Sequence, residues 1–108
     1  MVKSDLLPGT LEMLILKALQ LEPRHGFGLS VRLKQMSRDL SHVEMGSLYP
    51  ALCWLEAQGW VNAKWGVSAN NRRARYYPLT PAGRKQLQAE TTQWELLSST
   101  LNAMLRAT

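Results

Sequence analysis

Apolar residues recur every three or four positions in three segments of the first half of the chain, which predicts three helices. The first follows Thr10 and ends near Pro23, because proline stops a helix. The second spans about 26–40, and the third begins at Ser47, its expected N-cap, and ends at Gly59. The apolar stripes of the three helices are Leu11, Leu14, Ile15, Ala18 and Leu19; Leu29, Leu33, Met36 and Leu40; and Leu48, Ala51, Leu52 and Leu55.

After the third predicted helix, the spacing of apolar positions changes from a period of about 3.6 residues to a period of two. Val61, Ala63 and Trp65 are separated by single polar residues, which predicts a half-buried strand. Residues 66–71 are rich in turn formers, and residues 73–79 form the expected returning strand. The segment therefore predicts a two-stranded hairpin.

A long final helix is predicted from Thr80, its N-cap, to about Arg106, a length of about 39 Å. One stripe of this helix is apolar at coiled-coil spacing, with Glu90 as a polar interruption. Since a three-helix core has no room for this stripe, we expect it to pack against a second copy of the chain. The residues of this expected dimer interface are Leu87, Trp94, Leu97, Leu101 and Met104.

The order of these elements is helix, helix, helix, hairpin, helix. It predicts a mostly α fold with a small two-stranded β-wing, which is a winged helix-turn-helix followed by a long C-terminal dimerisation helix. We expect residues 1–79 to form the DNA-binding domain and residues 80–108 to form the dimerisation helix.

The charge is distributed unevenly along this basic chain, whose isoelectric point is about 9.8 and whose formal net charge is +5. Residues 57–89 contain six of the thirteen basic residues and none of the eight acidic ones. A positive field confined to one segment is the pattern expected for a surface that binds a polyanion such as nucleic acid.

Other functional classes receive no support from the sequence. Cys53 is the one cysteine, which excludes an intrachain disulfide and is typical of a reducing cytosol. His25 and His42 have no set of partners for metal binding or catalysis, so we expect no metal, no cofactor and no enzymatic activity. No signal peptide and no run of about 20 apolar residues is found, so we expect a soluble cytoplasmic protein.

Several motifs along residues 6–95 resemble the PadR family of bacterial transcriptional regulators. They are Gly9-Thr10-Leu11, Leu14-Ile15-Leu16, His25-Gly26-Phe27, Gly46-Ser47-Leu48-Tyr49-Pro50-Ala51-Leu52, Leu55-Glu56, Gly59-Trp60, Asn71-Arg72-Arg73-Ala74-Arg75-Tyr76-Tyr77 and Leu79-Thr80-Pro81-Ala82-Gly83. The short tail resembles the subgroup with a single C-terminal dimerisation helix. The resemblance implies a homodimer that binds palindromic promoter DNA, usually as a repressor, and that an effector releases in many members.

Two groups of residues are candidates for DNA contact. In the third helix, Ser47, Tyr49 and Pro50 lie on the side away from the apolar stripe, where a recognition helix contacts the major groove. Trp54 stands where the family often has a basic residue, and we expect it to pack rather than to contact DNA. In the wing, the expected contacts to phosphate or the minor groove come from Lys64, Arg72, Arg73 and Arg75, with no acidic residue nearby.

Trp94 has two possible roles. It is either a packing residue of the dimer interface or, paired with its symmetry mate, the wall of a pocket for a small aromatic effector. For the chain as a whole, a winged-helix protein-interaction adaptor is the alternative to a DNA-binding regulator. The charged wing favours the regulator, since an adaptor does not need its positive charge gathered there.

Overall fold

Four helices and a two-stranded antiparallel sheet make up the part of the chain that the structure describes. A computed structural model describes residues 10–21, 26–36 and 45–108. The elements are α1 (Thr10–Leu21), α2 (Gly26–Met36), α3 (Met45–Ala57), β1 (Lys64–Val67), β2 (Arg73–Tyr76) and α4 (Pro81–Arg106). The predicted order of three helices, a hairpin wing and a long final helix is confirmed.

The core lies between α1, α2 and α3, and the first turns of α4 close it from the side of α1. The buried apolar residues are Ile15, Leu16, Ala18, Leu19, Leu29, Leu33, Leu48, Ala51, Leu52, Leu55, Val61, Tyr77 and Leu87. Most of them belong to the predicted stripes. Leu16 does not, yet it is fully buried, because α1 contacts α4 as well as α2 and α3.

Leu87 corrects the predicted dimer interface. It was expected on the stripe left for a second copy, but only 4% of it is exposed and it belongs to the core of its own chain. The reason is that α4 packs on α1 at Leu87, whereas the large apolar side chains from Trp94 onward are each at least 41% exposed. In the part of the chain that the structure describes, no helix is long and apolar enough to cross a membrane.

Helix α3 begins two residues before the expected point, at Met45. Ser47 therefore lies inside the first turn and is not the N-cap, and Pro50 falls in the second turn. The side chain of Ser47 lies outside the described residues, as do residues 37–44, which include the predicted end of the second helix.

The C-terminal end of α3 is formed as the sequence predicted. Gly59 has a φ of 80°, a left-handed conformation that glycine adopts without steric cost. The Trp60 N–H donates to the Leu55 carbonyl at 3.1 Å, and the Gly59 N–H donates to the Glu56 carbonyl at 3.0 Å. This pair of hydrogen bonds is a Schellman motif, which satisfies the last carbonyls of the helix.

The hairpin lies further along the chain than the alternation predicted. Val61 and Leu79 form only an isolated bridge, and the sheet itself pairs β1 with β2. Trp65, predicted to be half-buried, is 59% exposed, because the ribbon extends beyond the core. Asn71, with a φ of 58°, forms the turn at its tip.

Thr80 joins the start of α4 to the end of α3. Its hydroxyl accepts a hydrogen bond from the Gly83 N–H at 3.0 Å, which confirms the predicted N-cap. The same hydroxyl donates to the Gly59 carbonyl at 2.7 Å, and the Thr80 N–H donates to the Trp60 carbonyl at 3.1 Å. These bonds hold the first turn of α4 directly against the backbone that leaves α3.

This close contact predicts the effect of Gly83→Ala. A Cβ at Gly83 would overlap the Trp60 carbonyl oxygen and lie 2.9 Å from its carbon. We therefore expect the substitution to lower the free energy of unfolding by about 1–3 kcal/mol, measured by urea denaturation. In an unobstructed helix the same change would be stabilising by up to about 1 kcal/mol. A neutral or stabilised variant would contradict the contact, and Ala89→Gly on the exposed side of α4 is the control for helix propensity.

Candidate nucleic-acid interface

The two sides of α3 differ in burial as the sequence predicted. Leu48, Ala51, Leu52 and Leu55 are buried in the core. On the opposite side, Tyr49 is 53% exposed, and Pro50 and Cys53 are exposed. Tyr49 and Pro50 therefore lie on a free surface of the helix, where a nucleic acid can reach them.

Trp54 lies at the edge of the same surface. Its ring makes an edge-to-face contact with Trp60, with the ring centroids 5.4 Å apart and an interplanar angle of 79°. Trp54 thus packs, as expected, but 48% of it remains exposed.

Tyr77 lies at the junction of α3 and the wing. It is almost completely buried, and this burial raises the pKa of its phenol above the usual value of 10.0. Tyr49 acts in the same direction on this pKa and Arg75 acts against it. Groups of α3 and of β2 therefore both influence the pKa of this buried side chain.

The register of the wing divides its side chains between two faces. Lys64 pairs with Tyr76, and Trp65 pairs with Arg75. Because successive residues of a strand point to opposite faces, Trp65, Val67, Arg73 and Arg75 share one face, and Lys64 lies on the other. Lys64 therefore does not share a face with Arg73 and Arg75, and a contact between Lys64 and DNA would come from the other face of the ribbon.

A stacked group of side chains occupies the face that carries the two arginines. The Arg73 guanidinium lies over the Trp65 ring, 4.5 Å from its centroid, and that of Arg75 lies 5.9 Å from the same centroid. Arg75 Nη2 also lies 3.4 Å from Glu56 Oε2, at the end of α3. The expectation of a wing with no acidic residue nearby is wrong, because the fold brings Glu56 to it.

Arg72 lies outside this group, in the turn at the wing tip, and its side chain is exposed. The Ser68 N–H donates to the Arg72 carbonyl at 2.7 Å, and the Asn71 N–H donates to the Ser68 carbonyl at 2.9 Å. On the other face, the Tyr76 hydroxyl donates to the Val67 carbonyl at 3.2 Å. These bonds give the tip a defined shape and leave the Arg72 side chain in solvent.

Trp65 and Glu56 are the site residues that the sequence interpretation missed. Trp65 was assigned to the buried face of a strand, and Glu56 lies just before the acid-free segment. A tryptophan close to an arginine-rich strand is the one signal that was available. Neither the pairing register of the hairpin nor the approach of α3 to the wing can be predicted from the local sequence pattern.

Within the ranges that the structure describes, no group of three or more His, Cys, Asp or Glu side chains is placed to hold a metal ion. His25 and His42 lie outside those ranges.

A three-helix core, an exposed third helix and a basic two-stranded wing beside it define a winged-helix protein. The family model of the PadR-like transcriptional regulators matches residues 15–89 of the sequence. The chain therefore belongs to the PadR-like family of transcriptional regulators.

Solved structures agree with this assignment. A PadR-like transcriptional regulator from Bacillus cereus is 28% identical, with 93% of this chain and 95% of that chain covered and a TM-score of 0.82. A transcriptional regulator from Clostridium thermocellum is 25% identical, with 98% and 100% covered and a TM-score of 0.84. A PadR family transcriptional regulator from Eggerthella lenta is 30% identical, with 93% and 85% covered and a TM-score of 0.77.

Proposed function

We propose that this protein is a transcriptional repressor that binds an inverted-repeat promoter operator as a homodimer. The observation that carries the proposal is the surface on which the Tyr49 side of α3 adjoins the arginine-rich wing. A helix with a free polar edge fits the major groove, and a positive ribbon beside it fits the phosphates or the minor groove. The proposed contacts are Ser47, Tyr49 and Pro50 in α3, and Lys64, Arg72 and Arg73 in the wing.

The homodimer is proposed because the last turns of α4 expose large apolar side chains. Among the predicted interface residues, Trp94, Leu97, Leu101 and Met104 are between 41% and 69% exposed. A two-fold axis would pair this stripe with its copy and would direct the two recognition helices to half-sites about 34–36 Å apart.

The charge distribution favours a DNA-binding regulator over an adaptor for proteins. The segment from residue 57 to residue 89 holds six basic and no acidic residues, and it includes the exposed wing tip. Attraction of phosphates explains such a concentration, whereas binding of an unspecified protein does not.

Gel-shift titration of the DNA upstream of the gene, followed by footprinting, tests the proposal. We expect one complex that protects two half-sites in inverted orientation and lower promoter activity when the protein is present. Binding that is indifferent to sequence would support only nonspecific affinity, and a single asymmetric half-site would contradict the two-fold dimer.

Tyr49→Phe tests the contribution of the recognition helix. The substitution removes one exposed hydroxyl and leaves the ring, so the fold should be unaffected. If that hydroxyl bonds the DNA in each subunit, operator affinity should fall by about 1 kcal/mol per subunit, or roughly thirty-fold for the dimer, in a titration at fixed salt. Equal operator affinity for both proteins would remove the hydroxyl from the set of contacts.

The last part of the proposal is that a small planar aromatic effector binds between two copies of Trp94. This residue lies at one end of a groove of about 230 Å³ between α1 and α4, lined also by Met13, Leu14, Lys17, Leu87 and Thr91. Quenching of tryptophan fluorescence by planar aromatic compounds should occur in the wild type and be lost in Trp94→Leu. Unchanged quenching in that variant would leave Trp94 as a packing residue only.

A further inference from the structure

We propose that the two arginines on the exposed face of the wing have different tasks. Arg73, held by Trp65, contacts the DNA backbone, whereas Arg75 is a positioning residue that fastens the wing to α3 through Glu56. Trp65 is a positioning residue as well, because it acts through Arg73. This inference rests on the proposed DNA-binding function and assigns the roles within its site.

The first observation is the stack of Arg73 on Trp65. The indole is 59% exposed, and the guanidinium lies 4.5 Å from the ring centroid. A cation–π contact uses the face of the guanidinium and leaves its N–H donors at the edge. Trp65 therefore holds Arg73 in a limited set of rotamers with its donors directed to solvent, which lowers the entropy lost when those donors bind a phosphate.

The second observation is the contact between Arg75 and Glu56, which joins β2 to the last turn of α3. Their charged atoms are 3.4 Å apart, and the two side chains are 41% and 38% exposed. A phosphate would have to compete with this carboxylate for the guanidinium. The contact instead connects the two elements that meet DNA, so it restricts the angle between the recognition helix and the wing.

Arg75 thus has a carboxylate partner before DNA arrives, and Arg73 has none among the described residues. The ribbon register places Arg75 directly opposite Trp65, next to α3, and Arg73 opposite Val67, near the tip. Counterion release depends on contacts between cations and phosphates, so the two residues should differ in salt dependence.

The stack is tested first without DNA, by nuclear magnetic resonance of the free protein. The side-chain protons of Arg73 should show an upfield ring-current shift in the wild type that disappears in Trp65→Leu and is kept in Trp65→Tyr. Thermal unfolding of the three proteins is the control for folding. No upfield shift in the wild type would overturn the role of Trp65.

The division of tasks is tested with a mixed-sequence DNA duplex titrated at several salt concentrations. Arg73→Gln should lower the slope of log K against log salt by about 2, which is one phosphate contact in each of two subunits. Arg75→Gln should leave the slope unchanged. Arg106→Gln, which removes an exposed charge at the far end of α4, is the matched control.

A charge exchange between Arg75 and Glu56 further distinguishes a positioning role of Arg75 from a phosphate contact. The double variant Glu56→Arg with Arg75→Glu keeps the net charge and an ion pair between α3 and β2. If Arg75 is a positioning residue, this variant should bind the duplex within about three-fold of wild type, and Arg75→Glu alone should bind at least about ten-fold more weakly.

The outcomes separate the inference from the proposed function. Equal losses of slope for Arg73→Gln and Arg75→Gln, or a charge exchange as weak as Arg75→Glu alone, would overturn the division of tasks and leave DNA binding intact. Failure of the wild type to bind any duplex would overturn the proposed function, and this inference with it.

Discussion

Replacement of both Leu97 and Leu101 by aspartate is expected to abolish the proposed dimer and to weaken operator binding sharply. From Trp94 onward, α4 exposes six large apolar side chains in a chain of 108 residues. They are Trp94, Leu96, Leu97, Leu101, Met104 and Leu105. A contiguous patch of this kind exceeds what monomeric proteins normally leave in water, so it indicates an interface.

The expected size of the effect follows from the burial that a dimer would add. About half or more of the surface of most of these side chains remains to be covered, worth about 1–2 kcal/mol each, or roughly 6–12 kcal/mol per helix before the cost of association. Two aspartates in each helix would place four carboxylates in the paired seam, where desolvation and mutual repulsion oppose burial. Each half-site would then be bound by a separate monomer.

Sedimentation velocity at micromolar concentration measures this outcome, with monomers or unfolded chain expected for the double variant. The matched control is Ser99→Asp with Asn102→Asp, which adds the same charge to exposed polar positions of α4 that lie about 100° or more from Leu97 and Leu101 around the helix and should remain dimeric. A wild type that sediments as a monomer, or a dimeric Leu97/Leu101 variant, would show that the end of α4 has another role.

The second large effect is expected from Arg72→Ala with Arg73→Ala. Both side chains are exposed on the wing and neither has an acidic partner among the described residues. If each neutralises one phosphate, a dimer loses four contacts, and the slope of log K against log salt falls by roughly 3–4. The double variant should also lose most of its affinity for DNA of unrelated sequence.

This result would be measured on operator and on unrelated duplexes in parallel, since phosphate contacts carry no sequence information. The two affinities should fall by similar factors, whereas Tyr49→Phe should affect mainly the operator. Arg106→Ala is the control for the general loss of positive charge. An unchanged slope would show that the two arginines are solvated residues with no phosphate contact.

Local features of the fold were predictable from the sequence because each depends on residues a few positions apart. The N-cap at Thr80, the left-handed Gly59 and the turn at Asn71 follow from the conformational preferences of single residues and their neighbours. The stripes of the first three helices follow from the helical period. The strand limits were less accurate, because the alternation began at Val61, before the sheet does.

Only the tertiary structure decided which of these residues meet. Leu87 is buried because α4 lies against α1, and neither periodicity nor residue type specifies that contact. Likewise, the hairpin register places Trp65 under Arg73 and takes Lys64 to the other face. Glu56 reaches Arg75 because the chain turns sharply at Gly59 and returns along the wing, so two charges nineteen positions apart in sequence come within 3.4 Å.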